Sequence, residues 1–363
     1  MKDTFTDANF PRTAEGRVYH LGVRYGEVAN RILTVGDPSR AKRVAQFLDA
    51  KPEPFTLLSD RGFLTITGTY QGIPVSIIAI GMGIANMDFF VRECRESVVG
   101  DMAIIRLGSC GGLLEDLPVG SLTVPRTAVA ITRNYDYDFT APEDDRMLSS
   151  SSVEDHPYRI SRPVDGNRQL RESLVEFLDT TRDAQTKTAI VRGDVVNAAC
   201  DGFYGSQGRK TSFPDHNEHL LEALMQRVPG VATLEMESHH LYHLASIYPS
   251  LPTPASKRMS AVSTPAILDR EAGAYFILGT QPPAALSTLP TELSESPSRV
   301  TGGIYASSVH IIFAQRTSRD VITPEDAESR ERWAGKACLE TLKVFGIKNS
   351  HPDESSVWAL AQG

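Results

Sequence analysis

RILTVGDPSRAKRVAQFLDA (31–50) contains the first clear change from a strand pattern to a helix pattern in the chain. Residues 31–36 form a short apolar run of the kind found in buried strands. Asp37 is then a good helix N-cap, Pro38 suits the first turn, and apolar residues recur at helical spacing. We therefore predict a strand over 31–36 that runs directly into a helix.

The same alternation of short apolar runs and longer helical patterns continues along most of the chain. Further strands are predicted over 73–81, 102–112, 121–133 (as one strand or two), 188–197 and 303–317, and helices after GMG (81–83) and over 325–347. This order is typical of an α/β protein with helices on both faces of a central sheet. Two polar segments interrupt it, the serine-rich 140–166 and 249–302, which contains eight prolines. We interpret both as insertions or mobile loops outside the core.

Composition and charge narrow the class of protein. The chain has 363 residues and a formal net charge of −8, which argues against nucleic acid or an anionic membrane surface as the main partner. The N-terminus lacks the apolar run of a signal peptide, and the longest apolar run, near 73–80, is too short to span a bilayer. Four widely spaced cysteines without a CxxC pair require no disulfide. A cytoplasmic location fits these features.

Two predicted strand ends carry groups that suit an anion. Gly36 precedes a helix N-terminus, where free backbone N–H groups and the helix dipole favour negative charge, and Arg40 adds a cation. Arg106 lies in an apolar strand, where a guanidinium needs an anionic partner, and Ser109 lies in the glycine turn expected after it. An ordinary strand–turn–helix junction and a structural salt bridge are the alternative interpretations.

The stretch GFYGSQGRKTSF (202–213) has neither helical nor strand period, so we predict a loop. It presents an amide, Gln207, and a guanidinium, Arg209, close to the aromatic ring of Phe203. Such a loop is either a solvated turn or a hydrogen-bonding site shaped for a flat polar ring.

Carboxylates and histidines cluster in TLEMESHHLYHLA (233–245). Glu235 and Glu237 suit sugar hydroxyls, and Met236 between them suits the apolar face of a ring. His239 and His243 stand four residues apart, but a third metal ligand is missing, which favours a helix with polar histidines over a metal site.

Nucleophile and dinucleotide signals are weak. Ser109 lacks the GxSxG spacing of a nucleophile elbow, and Cys110 has no local histidine, so a buried thiol is favoured over a nucleophile. GMGIAN (81–86) lacks the third glycine of a dinucleotide fingerprint. We predict neither a metal nor an organic cofactor.

Eight short motifs occur in the order found in one known family. They are HLG (20–22), VGDPSR (35–40), RGF (61–63), GMG (81–83), RLGS (106–109), FYGSQGR (203–209), EMES (235–238) and AQRT (314–317). By these motifs the chain resembles the nucleoside phosphorylase-I family, and within it the uridine-specific branch. The resemblance implies a single domain over 1–363, with its core at about 17–348 and a mixed, partly barrel-like central sheet flanked by helices. The implied reaction is that of uridine with phosphate to give uracil and ribose 1-phosphate.

The resemblance also assigns residues to each part of the substrates. Phosphate would be held by the backbone of Gly36 and by Arg40, Arg106, Ser109 and, from a neighbouring subunit, Arg61. Ribose would be held by Glu235, Met236 and Glu237, with His20 of the neighbour at the 5′-hydroxyl. Uracil would stack near Phe203 and be read at its polar edge by Gln207 and Arg209, with Arg316 close by. Arg106, Arg209, Gln207 and Arg316 would be the catalytic residues.

The implied partners are uridine, phosphate, uracil and ribose 1-phosphate, in a homodimer or higher homo-oligomer with shared sites. A cation that some bacterial relatives bind at the subunit interface would fall at Gly62 and Asn86, which differ from the ligands used there, so we expect none. A purine nucleoside phosphorylase or nucleosidase on the same fold stays open. Purine-selective relatives lack the Gln-x-Arg pair and use a late acid, for which Asp320 is the nearest candidate. A non-catalytic nucleoside-binding protein is the third possibility.

Overall fold

The structure is a computed structural model that describes residues 4–140, 156–248, 301–348, 350, 352 and 356–359. Its strands are β1 (Phe5–Thr6), β2 (Arg12–Thr13), β3 (Arg31–Val35), β4 (Phe55–Leu58), β5 (Leu64–Tyr70), β6 (Ile73–Ala79), β7 (Gly100–Gly112), β8 (Leu122–Val124), β9 (Thr127–Arg133), β10 (Tyr158–Ile160), β11 (Val164–Asp165), β12 (Val191–Gly193), β13 (Val196–Cys200), β14 (Val231–Glu235) and β15 (Thr301–Gln315). Its α-helices are α1 (Pro38–Ala45), α2 (Ile84–Ser97), α3 (Arg168–Thr180), α4 (Leu220–Arg227), α5 (Ser238–Ile247) and α6 (Pro324–Val344).

One large mixed sheet organises the fold, in the order β10-β9-β13-β14-β7-β3-β6-β5-β4. The long strand β7 is its centre: β15 runs parallel along it, while β3 pairs in parallel with its first half and β14 pairs antiparallel with its end. The predicted mixed sheet with flanking helices is confirmed. The C-terminal ends of β3 and β14 therefore both lie beside the second half of β7.

Both faces of the central strands are buried, which explains their nearly continuous apolar sequence. Leu33 of β3 and Ile105 of β7 pack into one cluster with residues of α1, α3 and α6. Their neighbours Ile32 and Ile104 point the other way, into a second cluster with residues of α2 and α5. The alternation of strand side chains thus places helices on both sides of the sheet.

The predicted junction between strand and helix at 31–50 is confirmed. β3 ends at Val35, and α1 begins at Pro38 with Asp37 as its N-cap, whose side chain accepts hydrogen bonds from the backbone N–H groups of Ser39 and Arg40. The same turn therefore fixes where α1 starts and where Arg40 leaves the backbone.

Two strand predictions need correction. The glycine turn expected within 102–112 does not form, because Gly111 and Gly112 continue β7 and pair with β14 and β15. A side chain at Gly112 would come within 3.0 Å of the Ile312 side chain, so the close approach of β15 requires glycine there. Residues 188–197 form parts of two strands, β12 and β13, separated by a bend at Asp194 with φ +65°.

The loop interpretation of 140–166 is wrong for its C-terminal part. Tyr158–Ile160 forms β10 and Val164–Asp165 forms β11, and both pair antiparallel with β9. Tyr158 is buried in an apolar cluster, so the polar composition of the segment concealed a short alternating strand. Residues 141–155 and nearly all of 249–302 lie outside the described residues.

The four cysteines, Cys94, Cys110, Cys200 and Cys338, are free and buried, which confirms the burial predicted for Cys110. Burial raises the pKa of the Cys110 thiol well above its usual value, which keeps this group protonated and unreactive. Within the described residues, every helix is too short or too polar to cross a membrane.

Candidate active site

Arg106 lies in the middle of β7 (Gly100–Gly112) rather than near a strand end, because β7 continues through the expected glycine turn, and the end of β3 places Gly36 beside it. β3 and β7 are parallel neighbours in which Thr34 pairs with Arg106, so Gly36 lies just beyond the arginine side chain. A Cβ atom at Gly36 would stand 3.4 Å from Nη2 of Arg106 and 3.3 Å from the carbonyl oxygen of Gly81. A side chain at position 36 would therefore press on the guanidinium group.

Arg40 supplies a second buried guanidinium group, which also lies against β7. Its Nη2 lies 2.8 Å from Oε1 of Glu331 on α6, and its Nη1 donates a hydrogen bond of 3.3 Å to the carbonyl oxygen of Leu107 on β7. Burial lowers the pKa of Arg40, and the Glu331 carboxylate opposes this effect. Its Nε is buried and has no partner among the described residues.

Arg106 has the carboxylate partner that the sequence predicted. Its Nη2 lies 3.0 Å from Oε2 of Glu237, and both side chains are buried. Oε1 of Glu237 accepts a hydrogen bond of 2.5 Å from the backbone N–H of Gly83. Burial raises the pKa of Glu237, while Arg106 acts in the opposite direction. Nε and Nη1 of Arg106 have no partner within the described part of the chain, so they offer two donors to an anion.

The two glutamates of EMES have different surroundings. Glu235 accepts hydrogen bonds from the side chain of Asn197, from the backbone N–H groups of Glu237 and Ser238, and from the Ser238 hydroxyl. Its oxygens thus hold the turn from β14 into α5, whereas Glu237 faces Arg106. Ribose contact by Glu235, and by the half-buried Met236, stays a prediction.

The loop 202–213 contains a short 3-10 turn, Gly205–Gln207, and it joins the predicted amide and guanidinium. Nη1 of Arg209 donates to Oε1 of the buried Gln207 and, at 2.7 Å, to the carbonyl oxygen of Phe203. The Arg209 guanidinium also covers the Phe203 ring, with its Cζ 3.8 Å from the ring centroid. The loop is therefore built around the Gln-x-Arg pair.

Arg316, just beyond β15, supports this loop. Its Nη1 donates at 2.8 Å to the carbonyl oxygen of Gln207, and its Nη2 donates at 3.2 Å to that of Gly208. Burial lowers the pKa of Arg209, and the nearby charge of Arg316 acts in the same direction. The structure thus brings Gln207, Arg209 and Arg316 into one cluster.

Arg61 and His20 meet elsewhere, on a patch that we call the Tyr19 patch: Phe5, Tyr19, His20, Arg61 and Phe89. Arg61 hydrogen-bonds the Tyr19 hydroxyl and lies over its ring, with Cζ 4.7 Å from the centroid. The His20 ring contacts Tyr19 edge-on, stacks on Phe89 and shares a hydrogen bond of 2.7 Å between Nδ1 and Oε1 of Glu93. Among the described residues, none of these contacts reaches Arg40, Arg106 or Glu237.

Among the described residues, the remaining sequence candidates take no part in the contacts given above. Ser109 and Asp320 are exposed, and Oδ2 of Asp320 accepts a hydrogen bond of 2.6 Å from Ser318. The rings of His239 and His243 stack with centroids 6.2 Å apart, and burial lowers the pKa of His239 to about 4. Over the residues described, no group of three or more His, Cys, Asp and Glu is arranged to hold a metal ion.

Sequence reasoning missed Glu331, which pairs with Arg40, and Asn217, which contacts the loop. It also missed His310, whose Nε2 lies 2.8 Å from the Ser238 hydroxyl. The i,i+3 and i,i+4 apolar spacing of α6 could have suggested a buried face for Glu331. For Asn217 and His310 no local signal exists.

The buried guanidinium groups of Arg40 and Arg106, with the carboxylate paired to Arg106, suit an anion, and the loop with an amide and a guanidinium suits a small polar ligand. The chain belongs to the phosphorylase superfamily, whose sequence profile matches residues 30–261. The family predicted from the order of the motifs is thereby confirmed, and within it the relatives are nucleoside phosphorylases.

Three relatives illustrate the range of similarity. The uridine phosphorylase of Thermococcus kodakarensis is 28% identical over 252 residues, which cover 68% of this chain and 79% of that protein. A DeoD-type purine nucleoside phosphorylase of Lactococcus lactis subsp. lactis is 33% identical over 232 residues, 63% of this chain and 80% of that protein. A solved uridine phosphorylase structure from the oomycete Phytophthora capsici has a TM-score of 0.71 and 32% identity, and the match covers 94% of this chain and all of that one.

Proposed function

We propose that this protein catalyses the phosphorolysis of uridine to uracil and ribose 1-phosphate, as an enzyme of pyrimidine nucleoside salvage. The observation that carries the proposal is the contact between Gln207 and Arg209, with Arg316 behind them. An amide offers a donor and an acceptor side by side, which match a uracil carbonyl and the adjacent ring N–H, and a guanidinium donates to the remaining carbonyl. Adenine and hypoxanthine do not present that full edge, because adenine has no carbonyl group and hypoxanthine has only one carbonyl group beside its ring N–H.

Phosphate would bind at the buried arginines. Two donors of Arg106 and the Nε of Arg40 are unpartnered among the described residues, and the turn at Gly36 adds backbone N–H groups at the N-terminus of α1. The partners already present, Glu237 and Glu331, hold the two guanidinium groups in place. This local concentration of cations supports anion capture by a chain of net charge −8.

In the proposed reaction a phosphate oxygen forms a bond to C1′ of the ribose while the bond from C1′ to N1 of uracil breaks. The electron pair of the broken bond moves onto uracil and spreads to its carbonyl oxygens. Positive charge develops on the sugar and faces the phosphate, and negative charge on the base faces Arg209 and Gln207. Glu237, beside Arg106, is the carboxylate best placed to accept hydrogen bonds from the ribose hydroxyls.

We further propose a homodimer or higher homo-oligomer in which the Tyr19 patch of one subunit completes the site of another. Arg61 and His20, the two residues expected to act across an interface, lie in contact with the same side chain, Tyr19. A common location suits two residues that reach one neighbouring site, with Arg61 at phosphate and His20 at the 5′-hydroxyl.

A purine substrate is the alternative, since DeoD-type relatives match at 33% identity. The late acid that a purine site needs has one sequence candidate, Asp320, which is exposed and hydrogen-bonded to Ser318. The exposed position of Asp320 argues against purine binding and supports recognition of uracil by Gln207 and Arg209.

The test is a panel of uridine, thymidine, inosine and adenosine, each incubated with the purified chain with and without phosphate, and followed by separation of free base from nucleoside. We expect phosphate-dependent release of uracil, with kcat/KM for uridine at least about 100-fold above that for inosine. Preferential release of hypoxanthine would replace uridine by a purine substrate. Base release without phosphate would indicate a hydrolase, and the absence of any turnover would favour a binding protein.

A further inference from the structure

Asn217 joins the two ends of the turn that carries Gln207 and Arg209. Its side chain is buried, and its Nδ2 donates one hydrogen bond of 2.9 Å to the carbonyl oxygen of Gly205 and another of 3.0 Å to that of Arg209. The two carbonyl groups flank Gln207 in sequence. A single amide group therefore fixes the distance across the turn.

The other carbonyl groups of the turn are held by different donors. Those of Gln207 and Gly208 accept from Arg316, and that of Tyr204 accepts from the backbone N–H groups of Gln207 and Arg209. Arg316 belongs to the segment after β15, whereas Asn217 precedes α4. The turn is thus clamped from two sides by elements that are distant in sequence.

Packing around Gly205 leaves the turn little freedom to shift. A Cβ atom there would come within 2.5 Å of Nη2 of Arg133 and within 2.8 Å of both Oδ1 of Asp215 and the Tyr158 hydroxyl. Arg133 and Asp215 form an ion pair, and Tyr158 donates at 2.9 Å to the carbonyl oxygen of Asp215. The turn that Asn217 bridges therefore packs closely against this group of side chains.

We propose that Asn217 is a positioning residue for the reading of the pyrimidine edge. It sets the relative position of the Gln207 amide and the Arg209 guanidinium, and hence the fit of both groups to one ring. This inference rests on the proposed function, because it concerns the same base site. Small errors in the position of such groups reduce both binding and the stabilisation of the leaving base.

The variant Asn217→Ala removes both hydrogen bonds without touching either group that reads the base. We expect KM for uridine to rise about tenfold and kcat to fall about threefold, while KM for phosphate stays within about twofold. The inhibition constant of uracil should rise with KM for uridine. A purely structural residue would not separate the two substrates in this way.

Asn30→Ala is the matched control. Asn30 is also a buried asparagine whose Nδ2 donates to two backbone carbonyl groups, those of Val99 and Asp101, at the end of β3 away from Gly36. We expect a comparable loss of thermal stability with unchanged KM values for both substrates. Should Asn217→Ala fail to fold, Asn217→Ser, which keeps one donor, serves for the same measurement.

Two results would overturn the inference. If the wild-type chain prefers uridine but Asn217→Ala changes both KM values equally, or neither, Asn217 has no positioning role, and the proposed function stands. If the wild-type chain itself prefers inosine, both the proposed function and this inference fail.

Discussion

The proposed site has a phosphate side around Gly36 and Arg106 and a base side around Gln207 and Arg209, and the two sides are built by different means. Arg106 lies on β7 and Gly36 directly follows the neighbouring strand β3, so their positions follow from strand register. Gln207 and Arg209 lie in a loop whose shape depends on hydrogen bonds from Asn217 and Arg316 to backbone carbonyl groups. The first region is held by secondary structure, and the second by a few side chains, of which Arg316 comes from a distant part of the chain.

This difference predicts how each region responds to change. Removing a side chain from the phosphate side deletes a charge from a rigid frame, so the remaining groups cannot compensate. Removing a support from the base side lets the loop shift, so the loss is smaller and concentrated on one substrate. Four measurements test this contrast.

The largest effect is expected for Arg106→Ala. The change removes two nitrogen donors that have no partner among the described residues and that we propose for phosphate, and it leaves Glu237 buried without its cation. We expect kcat/KM for phosphorolysis to fall roughly 10³-fold, as steady-state kinetics with varied phosphate would show.

Arg95→Ala is the control for this change, because Arg95 is likewise buried and has an unpartnered Nη1 among the described residues, but lies near the end of α2. It should lower stability without a comparable loss of activity. If Arg106→Ala retained activity within tenfold of wild type, the phosphate site would have to lie elsewhere.

The sequence predicted the local structure around Gly36, Arg40 and Arg106 better than the supports of the 202–213 loop, and local signals explain why. An N-cap, a proline and a period change within one stretch located Gly36 and Arg40, and a charge inside an apolar strand singled out Arg106 and required a carboxylate. The identity of that carboxylate, Glu237, could not be derived, because it depends on β14 lying beside β7. For Asn217 even the existence of a contact was invisible, since a polar residue before a short helix has no distinctive pattern.

On the base side, Arg209→Ala should lower kcat/KM for uridine by about 100-fold, because it removes the cation that we propose to face the leaving base. Lys210→Ala, which removes the exposed neighbouring cation, is the matched control and should leave kinetics unchanged. KM for phosphate should be the same in all three proteins. Near-normal turnover of uridine by Arg209→Ala would refute the role of the Gln-x-Arg pair.

We expect acid to destabilise the folded protein because the buried His310, near Arg106 and Glu237, resists protonation in the folded state. Burial, together with the charge of Arg106, lowers the pKa of His310 from 6.5 to about 3, against the opposing effect of Glu237. Between these values the unfolded state binds a proton that the folded state excludes. The folded state is therefore fully favoured above about pH 6.5 and loses stability as the pH falls towards 3, by about 2 kcal/mol from pH 7 to pH 5, or roughly 30-fold in the unfolding equilibrium.

Urea unfolding at pH 5 and pH 7 measures this loss. His310→Gln should reduce the difference between the two pH values by about the same 2 kcal/mol. His219→Gln, at an exposed histidine before α4, should keep the wild-type dependence. An equal pH dependence in wild type and His310→Gln would show that the His310 imidazole titrates normally in the folded state.

The smallest effect is expected for a third region, the Tyr19 patch, which belongs neither to the strands around Arg106 nor to the 202–213 loop. If Arg61 contacts phosphate only across a subunit interface, Arg61→Ala should raise KM for phosphate about tenfold and leave KM for uridine unchanged. Mixing Arg61→Ala with Arg209→Ala should then restore activity, because a mixed dimer contains one site with both arginines. Random exchange would give roughly a quarter of wild-type sites. If activity stays at the level of the separate variants after denaturation and joint refolding, Arg61 and Arg209 do not serve one site from two chains.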